Sequence, residues 1–139
     1  PCIQMFIEAE YRGVFINEDG LDDAEVYRFY GRPVVSPLKG YSARKGNRTV
    51  ALGGVTTGTD GKIWGFIDFR PGFRLRAIYR YMLRLLDWAA REGIPEIFVT
   101  RDAGLDTSER MLSRAGFRYT GEQIDGHEIW VWKKVEKNG

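Results

Sequence analysis

The sequence predicts a mixed α/β sheet with helices on its faces. Three observations lead there. A strand, a long amphipathic helix and a second strand follow one another between Ile63 and Thr100, an order that suggests a crossover joining two parallel strands. Two Asp-Gly pairs, Asp60-Gly61 and Asp125-Gly126, sit between apolar runs and read as hairpin turns. A second, shorter helix follows the crossover, so helices and hairpins share one sheet.

The elements follow in order. Ile3, Met5, Ile7 and Ala9 alternate with Gln4, Phe6, Glu8 and Glu10, a strand pattern that Val14 to Ile16 extend beyond Gly13. Asn17 to Gly20 is a turn by composition. Asp22 is placed to cap a short helix, Asp23 to Tyr30, with Glu25 at the third position of a capping box. Gly31-Arg32-Pro33 ends it. From Pro33 to Arg48 the residues Pro37, Gly40 and Gly46 argue for loop, and Lys39, Arg44, Lys45 and Arg48 make it basic. Thr49 to Val55 and Lys62 to Phe69 are strands around the first Asp-Gly turn. The glycines there do not form a phosphate loop, because Lys62 precedes Ile63 and a strand rather than Ser or Thr and a helix.

The amphipathic helix LRAIYRYMLRLLDWAAREG carries Leu75, Ile78, Tyr79, Met82, Leu86, Ala89 and Ala90 on one stripe. Arg76, Arg80, Arg84, Asp87 and Arg91 lie opposite. Gly93 and Pro95 stop it. Glu96 to Thr100 is a short apolar strand. Asp106 with Glu109 opens the second helix, with Met111, Leu112 and Ala115 as its apolar face and Gly116 as its stop. Phe117 to Glu122 and His127 to Lys133 form the last hairpin, with Trp130 and Trp132 on one face. Lys134 to Gly139 is expected to fray.

Composition narrows the function classes. The 139 residues suit one domain, residues 1–139, and the 43% hydrophobic and 14% aromatic content suits a packed core. The formal net charge of +2 gives no general support for a nucleic-acid partner, although Arg76, Arg80 and Arg84 form a local basic face. One cysteine, Cys2, excludes an internal disulfide, and one histidine, His127, leaves little for a metal site. No apolar run is long enough to span a bilayer, and no signal pattern opens the chain, so a cytoplasmic protein is expected. The aromatic residues Tyr79, Tyr81, Trp88, Trp130 and Trp132 are expected in packing rather than base stacking.

The element order, with GFIDFRP, AREGIPEIFVTRDAG and SERMLSRAGFRYTGEQIDGHEIWVW, resembles the GNAT N-acetyltransferase superfamily, and in particular GNAT-like proteins often encoded by bacteriophages. The similarity spans about Val50 to Lys133. It implies a fold with two splayed central parallel strands and acetyl-CoA as co-substrate lying between them, with no metal. By that resemblance the strands are Ile63–Phe69 and Ile97–Thr100. The pyrophosphate would sit on the following helix N-terminus at Arg74, Leu75, Arg76 and Ala77. The family's loop, Gln/Arg-x-x-Gly-x-Gly/Ala, aligned from Pro71 meets Gly72, Leu75 and Ala77; only the alanine fits, and leucine replaces a glycine that lets backbone amides approach phosphate.

The resemblance also implies two proton handlers. Asp68 is the base candidate, on the strand face opposite Ile67 and Phe69; its alternative role is an ion pair with Arg70 or a helix arginine. The backbone of Phe66, Ile67 and Phe69 would orient the acyl group. The family's tyrosine acid falls on Leu112, which has no proton to give. Tyr119 is the nearby substitute and Ser108 another candidate. Asp106 falls nearest the family's cofactor-touching asparagine, though helix capping also explains it. The implied function is transfer of an acetyl group from acetyl-CoA to a primary amine by direct attack. The alternative is a catalytically degenerate GNAT-like phage protein that binds a protein partner. Trp-rich edge strands leave room for a homodimer.

Overall fold

The structure is a computed structural model. It describes residues 14–17, 21–32, 38–46, 48–71, 75–101 and 106–134, with backbone alone for 14–17, 75, 106 and 107. The first strand's residues 3–13, Cys2, Arg74 and the C-terminal tail beyond Lys134 lie outside the described residues.

Among the described residues seven strands and three helices follow in order: β1 (Val14–Asn17), α1 (Asp23–Tyr30), β2 (Leu38–Lys45), β3 (Arg48–Thr57), β4 (Ile63–Phe69), α2 (Leu75–Arg91), β5 (Glu96–Arg101), α3 (Asp106–Ala115), β6 (Arg118–Ile124) and β7 (His127–Lys133). They build one sheet in the order β1-β2-β3-β4-β5-β7-β6. All neighbours are antiparallel except β4 and β5. The sequence therefore predicted the class and the parallel crossover correctly.

One strand departs from expectation. The region read as loop from Pro33 to Arg48 contains β2. Its glycine is not a breaker but a point of close backbone approach. Gly40 pairs with Gly54 of β3, and a Cβ on Gly40 would lie 2.0 Å from the Gly53 carbonyl oxygen. A Cβ on Gly54 would lie 1.9 Å from the Lys39 carbonyl oxygen. Both positions must lack a side chain for the strands to meet.

Alternation along the strands sorts side chains onto two faces. On one face, α2 lays Ala77, Tyr81 and Leu85 against Tyr41, Ala43, Val50 and Ala51, and Met82, Leu86 and Ala89 against Val55, Ile97, Trp130 and Trp132. The expected stripe of α2 is thus wider than seven positions. Ala77, Tyr81 and Leu85 are buried as well, because the helix spans two clusters rather than one. The Tyr81 hydroxyl donates to the Tyr41 carbonyl at 2.6 Å, which satisfies a polar group in a fully buried place. Trp130 and Trp132 are buried among apolar residues, as packing required.

On the other face, α1 places Val26 and Phe29 over Leu52 of β3. Asp22 caps this helix by accepting from the Glu25 amide at 2.6 Å. The capping box is half made, because the Glu25 side chain does not reach back. It is 1% exposed and accepts through Oε2 from Arg44 Nε and Thr49 Oγ1, each at 2.6 Å, and from Ser42 Oγ at 3.3 Å. A buried carboxylate needs such donors, and here they tie α1 to β2 and β3. The last hairpin turns at Asp125 (φ 50°) and Gly126 (φ 81°), the two successive positive φ values of a tight hairpin turn. His127 is exposed beside it.

Candidate active site

The parallel junction is the irregular place in the sheet. Strands β4 and β5 share a single register pair, Trp64 with Phe98, whereas β5 and β7 stay paired over six. Gly65 keeps the strands close at this end: a Cβ there would lie 2.8 Å from Ile97 Cγ2. Beyond it they diverge toward Asp68 and Phe69 on one side and Thr100 and Arg101 on the other.

A cavity of about 580 Å³ fills the divergence. Its floor comes from α2, through Ile78, Met82, Leu85 and Leu86, and its far wall from α3, through Ser108, Met111 and Leu112. The β4 residues that line it belong to both faces of the sheet: Gly65, Ile67 and Phe69 from the α2 face, Phe66 and Asp68 from the α1 face. The cavity thus takes in residues of β4 from both faces, while its helical walls come from α2 and α3. Mostly apolar walls with a few polar groups are what small-molecule sites present. Those polar groups include Asp68, Thr100, Arg101 and Ser108.

The two diverging strands end in opposite charges. Asp68 is exposed on the face turned away from Ile67 and Phe69, as its place in the alternation predicted. Among the described residues its partner is not an arginine. The Tyr30 hydroxyl, at the end of α1, donates to Asp68 Oδ2 at 2.5 Å. Burial, the Asp68 hydrogen bond and the Asp68 charge raise the Tyr30 phenol far above its usual pKa, with Arg32 opposing. Arg70 instead donates to the Phe29 carbonyl at 2.6 Å and lies 4.2 Å over the Phe29 ring. Asp68 and Arg70 thus fasten the end of β4 to the end of α1.

Arg101 is buried, at 6% exposure. Its Nε donates to Glu128 Oε1 at 2.8 Å and one terminal nitrogen to Ser108 Oγ at 3.2 Å. Trp130 Nε1 donates to the same Glu128 oxygen at 3.1 Å. Such pairing is what lets a guanidinium sit among apolar walls. Arg101 lies one residue past the strand expected from the sequence, Glu96 to Thr100, and neither it nor Tyr30 is singled out there as a site residue. Each is legible only through the partner that folding brings to it.

The remaining sequence candidates fall as follows. Leu112 lines the cavity on α3 and is buried. Tyr119 is half exposed on β6 and stacks on Trp130 at 5.8 Å; it is not among the residues lining the cavity. Arg76 is exposed and Ala77 buried in the first turn of α2. Arg74 and Gly72 lie outside the described residues, and Leu75 and Asp106 open their helices with only the backbone described. Among the described residues no cluster of three potential metal ligands occurs, and no helix is long and apolar enough to cross a membrane.

Seven strands with a parted parallel pair at the centre and a helix after each of the two define the GNAT acyl-CoA N-acyltransferase fold. Solved structures carry the same fold at low identity. The chain is similar to yncA of Salmonella typhimurium, solved with its cofactor acetyl-CoA: 13% identity, 91% of this chain and 96% of that one, TM-score 0.66. It is similar to the ribosomal-protein-S18-alanine N-acetyltransferase of Escherichia coli, at 14% identity over 90% and 96% with a TM-score of 0.64. A GNAT-family acetyltransferase of Staphylococcus aureus Mu50 matches at 10% identity over 88% and 99%, with a TM-score of 0.59. No family model and no curated protein matches the sequence.

Proposed function

We propose that the protein is an acyl-CoA-dependent N-acetyltransferase that acetylates a primary amine by direct attack. The carrying observation is the parting of β4 from β5 after a single register pair, with a cavity lined by both strands. A thioester threaded there from one face can meet an amine arriving from the other. The solved relative that holds acetyl-CoA supports this co-substrate.

In this reading the acceptor ammonium gives a proton to Asp68, directly or through water. The amine nitrogen then bonds to the thioester carbonyl carbon, the carbon–sulfur bond breaks to release the thiolate of coenzyme A, and the proton shed by the new amide nitrogen passes through solvent to that thiolate. A base is needed because an ammonium has no lone pair with which to attack. The backbone from Phe66 to Phe69 orients the acyl group. Arg74, Arg76 and the amides opening α2 before Ala77 hold the pyrophosphate, since an N-terminal turn presents unpaired N–H groups. Asp106, at the head of α3, takes the part of the asparagine that by resemblance touches the cofactor.

The test is thermal unfolding with and without acetyl-CoA, backed by calorimetry with coenzyme A. A ligand that binds only the native state stabilises it by about 2.7 kcal/mol at a hundredfold excess over Kd. No rise in Tm at millimolar acetyl-CoA overturns the proposal. One observation favours a second reading. Leu112 occupies the lining of the cavity where the family's proton donor would stand, so the fold also suits a binding or structural module of the kind bacteriophages encode. Its signature is a stable protein complex with no response to acetyl-CoA.

A further inference from the structure

We propose that Tyr30 is the positioning residue for the proposed base, Asp68, so that α1 belongs to the catalytic apparatus. The proposal rests on the acetyltransferase reading and deepens it.

Asp68 stands at the diverging end of β4, exposed and on the lip of the cavity. A carboxylate on an exposed strand end turns freely about its side-chain torsions unless something holds it. Tyr30 holds it. The phenol comes from a different element, thirty-eight residues away, and donates to Oδ2 at 2.5 Å. Its ring is itself fixed edge-on against Phe29 at 5.2 Å, and Phe29 is pinned by Arg70. The chain Arg70–Phe29–Tyr30–Asp68 therefore starts one residue past β4 and returns to its end, two residues from Arg70.

The division of labour follows from donor and acceptor chemistry. A tyrosine hydroxyl has one hydrogen, and here it goes to Oδ2. That leaves proton acceptance to Oδ1, with the carboxylate plane set by the hydrogen bond. Among the described residues the groups facing the pair are few. Tyr30 comes from α1, Arg32 from the turn after it, and the β3 residue opposite Asp68 is the apolar Leu52. Arg70 is directed to the Phe29 carbonyl. A fixed oxygen near the mouth of the opening matters only for an acceptor that must lose a proton before it attacks.

That last point supplies the experiment. The full chain is assayed with acetyl-CoA and two probes at neutral pH: benzylamine, which arrives as an ammonium, and hydroxylamine, which arrives uncharged. The Tyr30→Phe variant keeps the ring packed on Phe29 and loses only the hydroxyl. It is expected to lower kcat/KM for benzylamine by about tenfold or more, leave hydroxylamine within about twofold, and leave the acetyl-CoA shift in Tm unchanged. In an Asp68→Asn background the same substitution is expected to add nothing, because the two act as a unit. Equal loss with both probes, or loss with neither, overturns the positioning role. A wild-type chain that responds to acetyl-CoA in Tm but acetylates neither probe overturns it too. Absence of any Tm response instead brings down the acetyltransferase reading on which it rests.

Discussion

Arg101 and Glu128 face each other in register across β5 and β7, and their side chains close the same pair at 2.8 Å. The hydrogen bond from Arg101, helped by one from Trp130, holds the Glu128 carboxyl below its ordinary pKa. A carboxylate lowered in the folded state contributes stability that is complete above its unfolded pKa, about 4.3, and is lost as pH falls through the folded value. The wild type is therefore expected to lose Tm on acidification below about pH 4 more steeply than Glu128→Gln. At neutral pH the variant is expected to melt lower, since Arg101 stays buried with its partner weakened. Melting curves across acid pH check both signs.

Tyr81→Phe removes the buried donor to the Tyr41 carbonyl and keeps the ring against Tyr41 and Phe69. The expected loss is about 1 kcal/mol, read from urea unfolding, with no change in the slope. A loss well beyond that would mean that the ring, and not the hydroxyl, had moved.

Gly54→Ala is expected to prevent β2 and β3 from pairing, because the new Cβ would lie 1.9 Å from the Lys39 carbonyl oxygen. Backbone is what it meets, so no rotamer relieves it, and the cost should exceed about 3 kcal/mol. Gly61→Ala is the control. Its φ is 80° and no atom lies within 4 Å of the new Cβ, so only the left-handed backbone penalty of about 1 kcal/mol applies. Soluble yield and denaturant midpoint distinguish the two.

Leu112→Tyr puts a hydroxyl into the lining of the cavity, where the proposed reaction releases a thiolate. If the chain transfers acetyl groups, the variant is expected to raise kcat for benzylamine and leave KM for acetyl-CoA nearly unchanged, because proton donation to the leaving group acts on the step and not on binding. Steady-state kinetics with both substrates varied reads this directly.

The fold was largely legible because its signals are local. The Asp125-Gly126 turn, the Gly93 stop and the α2 stripe each depend on neighbours within a few residues. The strand β2 was not legible, since Gly40 means loop unless Gly54 is known to lie opposite. The same limit applied to the site. Asp68 was found from its oddity in an apolar strand, but its partner Tyr30 lies at the end of another element, and the sequence suggested arginine instead. Arg101 fell outside the expected strand, Glu96 to Thr100, and gained meaning only when β7 brought Glu128 against it. Long-range pairing carries no periodicity, so a single sequence does not announce it.

The single ladder step between Trp64 and Phe98 divides the sheet into two leaves. Strands β1 to β4 form one and β5, β7 and β6 the other, each internally laced by antiparallel bonds. Among the described residues, that step, the side-chain contacts beside it and the wedge of α2 join them across the middle. Whatever occupies the gap touches both leaves at once and works as mortar between them, so the amides of β4 and β5 should exchange hydrogen fastest when the gap is empty and slow together when it fills.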